Sequence, residues 1–130
     1  MTLRSMFDEL LVRHPERPAL SYPVASRVDK RGRTVRDWRT LTWHEVGRLV
    51  VDVAERLPLT VGAGRTVAVL ADTDARYPLL ELAVGLAGRT VQPLYVSATD
   101  DELRAALRIT GAEVLVVGRG QSARAGSRAR

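Results

Sequence analysis

The sequence has 130 residues, 45% of them hydrophobic, with no cysteine and a net charge of +5. That length suits one domain with one core, and the lack of cysteine excludes a disulfide framework, a thiolate metal site and a thiol nucleophile. Met1-Thr2-Leu3-Arg4-Ser5 lacks the apolar stretch of a signal peptide, and no run of eighteen apolar residues suggests a membrane span, so a cytoplasmic chain without a membrane partner is expected.

Read in chain order, Leu3, Met6, Phe7, Leu10 and Leu11 recur at helical spacing after Thr2, a suitable cap, and His14-Pro15 ends that helix. Pro18 to Tyr22 is short and β-leaning. Residues 24–36 are polar and hold the turn signal Asp29-Lys30-Arg31-Gly32, and Trp38 to Leu41 reads as a returning strand, so an antiparallel hairpin is expected. Thr42-Trp43-His44-Glu45 is a capping box opening a helix to about Leu57, with Val46, Val50, Val53, Ala54 and Leu57 as its apolar stripe and Pro58 as its stop.

An alternation follows. Thr66 to Ala71 is a continuous apolar run, as in a strand buried on both faces. A helix capped by Asp72 or Asp74 runs through Ala87 and ends at Gly88. Thr90 to Tyr95 is a second strand. Thr99-Asp100-Asp101-Glu102 is a second capping box, Leu103, Ala106 and Leu107 face inward, and Gly111 closes that helix; Glu113 to Val117 is a third strand. Strand, helix, strand, helix, strand at these lengths predicts parallel strands with right-handed crossovers. The fold expected is therefore α/β: a partial parallel sheet with βαβαβ crossovers, preceded by an N-terminal helix and an antiparallel hairpin. Three parallel strands make a small sheet, with at least one edge open to a partner.

After Gly118 no apolar period remains, so residues 1–118 are read as the structured part and residues 119–130 as a disordered basic tail. Arg119, Arg124, Arg128 and Arg130 carry four of the five net charges, leaving the body at +1. Lys30 is the only lysine, which reads as a coding bias toward arginine. The body has no basic stripe with interleaved aromatics, so no nucleic-acid partner is expected.

Five segments in this order resemble one family. His14-Pro15-Glu16-Arg17-Pro18-Ala19-Leu20 is similar to the opening of AMP-forming acyl-CoA synthetases and their adenylation-domain relatives, and Leu41 to Val46 to that family's first core motif. Gly62 to Leu70 resembles the start of its next strand, Leu86 to Leu94 its second core motif, and Asp101 to Leu115 the following helix and strand. Arg65 follows Gly64 without the family's acidic residue between, and Arg89-Thr90 replaces its small residues. Pro93-Leu94-Tyr95 is closer to fatty-acyl and carboxylic-acid-reductase types.

The resemblance implies activation of a carboxylic acid, a fatty acid by that clue, to an acyl-adenylate and then a thioester. It implies ATP, Mg²⁺ and CoA for an intact parent and none for this chain alone. The family's Ser/Thr/Gly-rich phosphate loop ending in Pro-Lys-Gly is absent from these 130 residues, as is its C-terminal domain with a catalytic lysine. The chain is thus expected to be a truncated N-terminal portion, inactive alone, with a possible protein partner supplying the rest of the fold. No catalytic, cofactor-binding or metal-binding residue is carried over, because the matched region mainly builds scaffold in that family.

The residues of chemistry-bearing types have simpler readings. Gly62-x-Gly64 opens a strand and reads as a turn; Gly118-x-Gly120 follows a strand but reads as loop or tail. His14 suits a helix C-terminus, and His44 lies in a first helical turn. Asp72 and Asp74 lie past a parallel strand, where ligands gather, but capping explains them. Tyr95 and Ser97 are the best candidates for lining a site in a parent. Trp38 and Trp43 read as packing anchors.

Overall fold

The computed structural model describes residues 1–57 and 65–126. Two of the expectations above, the stop at Pro58 and the Gly62-x-Gly64 turn, lie outside the described residues, as does the tail reading for 127–130. By its contacts the chain divides into Met1–Val51 and Asp52–Arg130.

The first unit begins with α1 (Leu3–Arg13). Thr2 caps it: its Oγ1 accepts from Ser5 N, and Ser5 Oγ accepts in return from Thr2 N at 2.9 Å. Of the predicted apolar face only Phe7 is fully buried, with Leu10 and Leu11 half-buried and Leu3 and Met6 largely exposed. The hairpin is longer than the apolar pattern indicated, with β1 (Pro18–Val28) and β2 (Thr34–Thr42) antiparallel throughout and bulged at Pro18/Leu20 and Pro23/Ala25. The distal part escaped the pattern because it has no buried face to impose apolar alternation. Its turn is set by Asp29, whose carboxylate accepts from Arg31 N at 2.8 Å and Arg33 N at 2.9 Å, with Gly32 at φ +75°. These bonds, the Arg33 amide first, hold the Asp29 carboxyl below its usual range.

The capping box at Thr42–Glu45 is present, with Thr42 N donating to Glu45 at 2.8 Å, and it opens α2 (Trp43–Arg56). Val46 and Val50 are buried as predicted, beside Gly47, against which the Leu11 methyl groups pack. Trp43 packs edge-on against Phe7. Trp38 is not an anchor: it is 61% exposed, because its place in the ribbon points it to the solvent face.

The second unit holds the parallel sheet, with β3 (Thr66–Leu70), β4 (Thr90–Leu94) and β5 (Val114–Val117) in the order β4-β3-β5. Val67, Ala68, Val69 and Leu70 are all buried, so both faces of β3 are covered. The chain crosses from β3 to β4 through α3 (Arg76–Leu86) and back over β3 to β5 through α4 (Asp100–Thr110). Right-handed crossovers in opposite directions put these helices on opposite faces. Leu103 of α4 packs on Ala68, Leu70 and Leu94, with Ala106, Leu107 and Leu115 around them. Gln92 ties β4 to the same helix, its Nε2 donating to Ala106 O at 3.0 Å and its Oε1 accepting from Thr110.

The start of α3 differs from expectation. Its cap is Ala75, which has no side-chain acceptor, and neither Asp72 nor Asp74 occupies the cap position. Ala75 itself has helical dihedrals, φ −61° and ψ −23°, and Asp74 just before it bonds the first turn, its carbonyl accepting from Tyr77 N at 3.2 Å. Asp74 still accepts from Arg76 N at 2.8 Å. At the other end Gly88, at φ +74°, completes a Schellman closure with Arg89 N donating to Val84 O at 3.1 Å.

Backbone parity fixes the character of the two sheet edges. Thr90 N donates to Arg65 O, so the residues of β4 that bond inward are 90, 92 and 94, and Pro93 points outward, where a missing N–H costs no ladder bond. Gly118 N donates to Leu70 O, so Leu115 and Val117 of β5 turn their N–H groups to the open side. Beyond Gly118 a 3₁₀ turn at Arg119–Gln121 leads into α5 (Ser122–Gly126), a short helix where the apolar pattern gave no element.

The cap of α4 is the most separable of these local devices. Thr99 Oγ1 accepts from Glu102 N, and the Glu102 carboxylate accepts from Thr99 N at 2.7 Å and Thr99 Oγ1 at 2.9 Å. The backbone bond from Thr99 is the main reason the Glu102 carboxyl sits below its ordinary value. Thr99→Ala should lower stability by about 1 kcal/mol at neutral pH in urea titrations. A carboxylate whose folded pKa is depressed stabilises above its unfolded value and loses that contribution as pH falls through the folded one. Thr99→Ala keeps that backbone N–H, so the pH test uses Glu102→Gln, whose stability gap to the wild type should narrow below about pH 4.3. A gap of the same size at pH 7 and pH 3 would contradict the assigned role of Glu102.

Candidate functional site

Ligands of open parallel sheets gather beyond the carboxyl ends of the strands, where the strand order reverses. In this sheet that point lies between β3 and β5, and the segments that follow them are Ala71 to Asp74 and Gly118 to Gln121. The two close on each other. A Cβ on Gly118 would stand 2.9 Å from Ala71 Cβ and 3.1 Å from Ala71 Cα, and one on Gly120 would meet Asp72 Oδ2 at 3.0 Å. Gly118-x-Gly120 is thus a close-approach device that lets one backbone cross the end of the sheet. Asp72 faces this turn. Asp74 is engaged by Arg76, at 3.0 Å from its Nε, and the hydrogen bonds from that side chain hold its carboxyl low.

The open space lies beside β4. A shallow cavity of about 540 Å³ is floored by Leu94, Leu103 and Ala106 and rimmed by Gln92, Tyr95, Ser97 and Glu102. The sequence candidates Tyr95 and Ser97 do come together here. Tyr95 is 82% exposed and Ser97 is exposed. Glu102, the only carboxylate on the rim, is occupied by the capping box and stays ionised, so it is poorly placed as a proton donor. Tyr77 of α3 has its phenol pushed up, mainly by burial and then by the charges of Glu81 and Tyr95.

His14 and His44 are elsewhere, in the first unit, where their backbones build a joint: His14 N closes α1 on Leu10 O, and His44 N donates to Pro15 O. With Trp43 N donating to Arg17 O, these bonds pin the 15–17 segment to the start of α2. Neither imidazole makes a hydrogen bond or ion pair among the described residues. No polar or charged side chain is buried among the described residues, and no three of His, Asp and Glu gather as a metal site would require. The arrangement can line a ligand. It lacks the desolvated charges that stabilise a transition state.

One residue of this region was invisible in sequence. Arg124, in the segment read as tail, donates to Val96 O at 2.7 Å and Ala98 O at 2.6 Å and pairs with Asp100 at 3.1 Å. It clamps the loop between β4 and α4, which carries Ser97. An arginine in a run of Gly, Ser and Ala has no period to announce it. The Gly118-x-Gly120 spacing was a legible signal of close backbone approach.

A family model described as AMP-binding enzyme matches residues 7–129. No curated protein matches the sequence. Among solved structures, the A-PCP didomain of carboxylic acid reductase from Segniliparus rugosus, in complex with AMP, is similar with a TM-score of 0.74 and 27% identity, over 90% of this chain and 18% of that one. The adenylation domain of a carboxylate reductase from Mycobacterium chelonae gives 0.73 and 24% over 90% and 19%. The N-terminal subdomain of Klebsiella oxytoca NpsA, in complex with anthranilyl-AMSN, gives 0.72 and 22% over 88% and 27%. The chain therefore spans about a fifth to a quarter of the length of these structures.

Two substitutions test this geometry. Gly118→Ala should cost about 1–3 kcal/mol, because the new methyl meets backbone at Ala71 and the strand end must shift; a neutral effect in denaturant titrations would contradict the close approach. Arg124→Ala should speed amide hydrogen exchange over residues 96–100 and leave β3 unchanged; equal protection in both proteins would show that the clamp does not form.

Proposed function

The chain belongs to the AMP-binding enzyme family, and from there we propose that it contributes the N-terminal scaffold of an adenylate-forming, ATP-dependent ligase and does not catalyse that reaction by itself. The observation that carries the proposal is the state of the strand-end site. Its polar groups are exposed or already bonded within the chain, and no phosphate loop is present in these residues to neutralise charge on a transferring group. The Segniliparus rugosus structure, which holds AMP, has an adenylation domain of which this chain resembles a small share, and the rest of such a domain would supply the ATP, Mg²⁺ and acid sites. The acid proposed is a fatty acid, on the resemblance of Pro93-Leu94-Tyr95 to fatty-acyl and carboxylic-acid-reductase types, and the proposed setting is cytoplasmic.

A second reading is favoured by one feature. β5 is an apolar edge strand whose outward N–H groups at Leu115 and Val117 are intact, with no proline or charge to guard it, unlike β4 with Pro93. Such an edge invites an added strand. On this reading the chain is a non-catalytic interaction subunit completing its sheet with a separately encoded remainder of the fold.

The purified chain, incubated with ATP, Mg²⁺, CoA and a panel of fatty and aromatic acids, should show no acid-dependent pyrophosphate release. Turnover above the no-enzyme control would overturn the proposal. Activity that arises only when the remaining part of a family domain is added in trans would select the second reading.

A further inference from the structure

The hairpin β1–β2 has a use that neither the scaffold role nor the strand-end cavity absorbs. From Arg27 to Arg39 it carries six cations, Arg27, Lys30, Arg31, Arg33, Arg36 and Arg39, against two carboxylates, Asp29 and Asp37. The rest of the chain before Arg119 is net −3, so the positive charge of the body is concentrated in this ribbon rather than spread by composition. Two of the cations are spoken for: Arg33 pairs with Asp29 at 2.8 Å and Arg27 with Asp37 at 3.1 Å. Among the described residues no acid pairs with Lys30, Arg31, Arg36 or Arg39.

The strand register sorts the side chains. Arg36 and Trp38 are two apart on β2 and share a face, where they lie opposite Ser26 and Pro23 of β1, and Val28 lies opposite Thr34 on the same face. The bond between Ser21 Oγ and Thr40 Oγ1, at 2.7 Å, confirms that parity. Every one of these residues is exposed, Trp38 at 61% and Val28 at 69%. An uncovered tryptophan beside an arginine that no acid among the described residues pairs is the composition that dominates interface hot spots. Only one aromatic is on this face, too few for the stacking platform of a single-strand binder.

We infer that this hairpin face is a docking surface for an acidic protein partner, in which Trp38 enters an apolar spot and Lys30, Arg31 and Arg36 meet carboxylates around it. The partner's carboxylates complement Lys30 and Arg31 of the turn and Arg36 of the face, Arg39 lying on the other side of the ribbon, and the apolar spot removes Trp38 and Val28 from water.

The test uses the full chain at low salt with a glutamate–tyrosine random copolymer as the acidic, partly apolar probe and a single-stranded oligonucleotide as the competitor class. Binding is followed by tryptophan emission. The proposal expects binding of the copolymer that weakens with added salt, an emission shift that Trp38→Ser removes, and at least a roughly tenfold loss for the pair Arg31→Glu and Arg36→Glu. The pair Arg128→Glu and Arg130→Glu should change affinity by less than about threefold. Far-UV circular dichroism checks that the exposed substitutions fold, and the salt dependence and emission shift of the wild type stand independently of them. No binding at low salt, an equal loss from the 128/130 pair, or tighter binding of the oligonucleotide would each overturn the inference.

Discussion

The second unit depends on β3 more than on any other element. Among the described residues it is the one strand bonded along both edges, to β4 on one side and β5 on the other, and four of its five residues are buried. Parallel pairing needs crossovers, and crossovers put helices on the faces, so a strand in this position must be apolar on both sides. Val67 to Leu70 meet that demand with no polar side chain. The ends of β3 are held as tightly: Arg65 pairs with Glu113 before it, and Gly118 comes down on Ala71 after it.

That arrangement governs what the chain can do chemically. At the β3–β5 end, where an open α/β sheet ordinarily admits a ligand, Gly118 and Gly120 bring backbone close to Ala71 and Asp72. The remaining space, beside β4, is lined by residues already serving the fold: Glu102 caps a helix, Gln92 ties strand to helix, and Arg124 clamps the loop that carries Ser97. Among the described residues that line this space, the charged Glu102 is already bonded within the fold. The chain belongs to the AMP-binding enzyme family, and the polar Gln92 and Glu102 beside β4 are bonded into its fold.

Much of this was legible in the sequence. The two capping boxes, the glycine closures at Gly88 and Gly111, the buried run of β3 and the alternation that dictates parallel strands are local signals, and each appears where it was read. The failures have local causes too. The hairpin outgrew its predicted strands because an exposed ribbon needs no apolar alternation. The third helix is bounded at Ala75 rather than at an aspartate, yet Asp74 still bonds its first turn through side chain and carbonyl. Trp38 was read as an anchor from its size alone, whereas the register of the ribbon decides its face. Arg124 had no sequence signal, because its partners are backbone carbonyls some 26 and 28 residues away.

The central claim is that the strand-end region of this chain, by itself, does not hold nucleotide phosphate. Isothermal titration of the purified chain with ATP and Mg²⁺ measures that directly. The account predicts no saturable heat from the chain alone. Tight, stoichiometric binding would contradict it, and would mean that the residues read here as scaffold converge on phosphate after all.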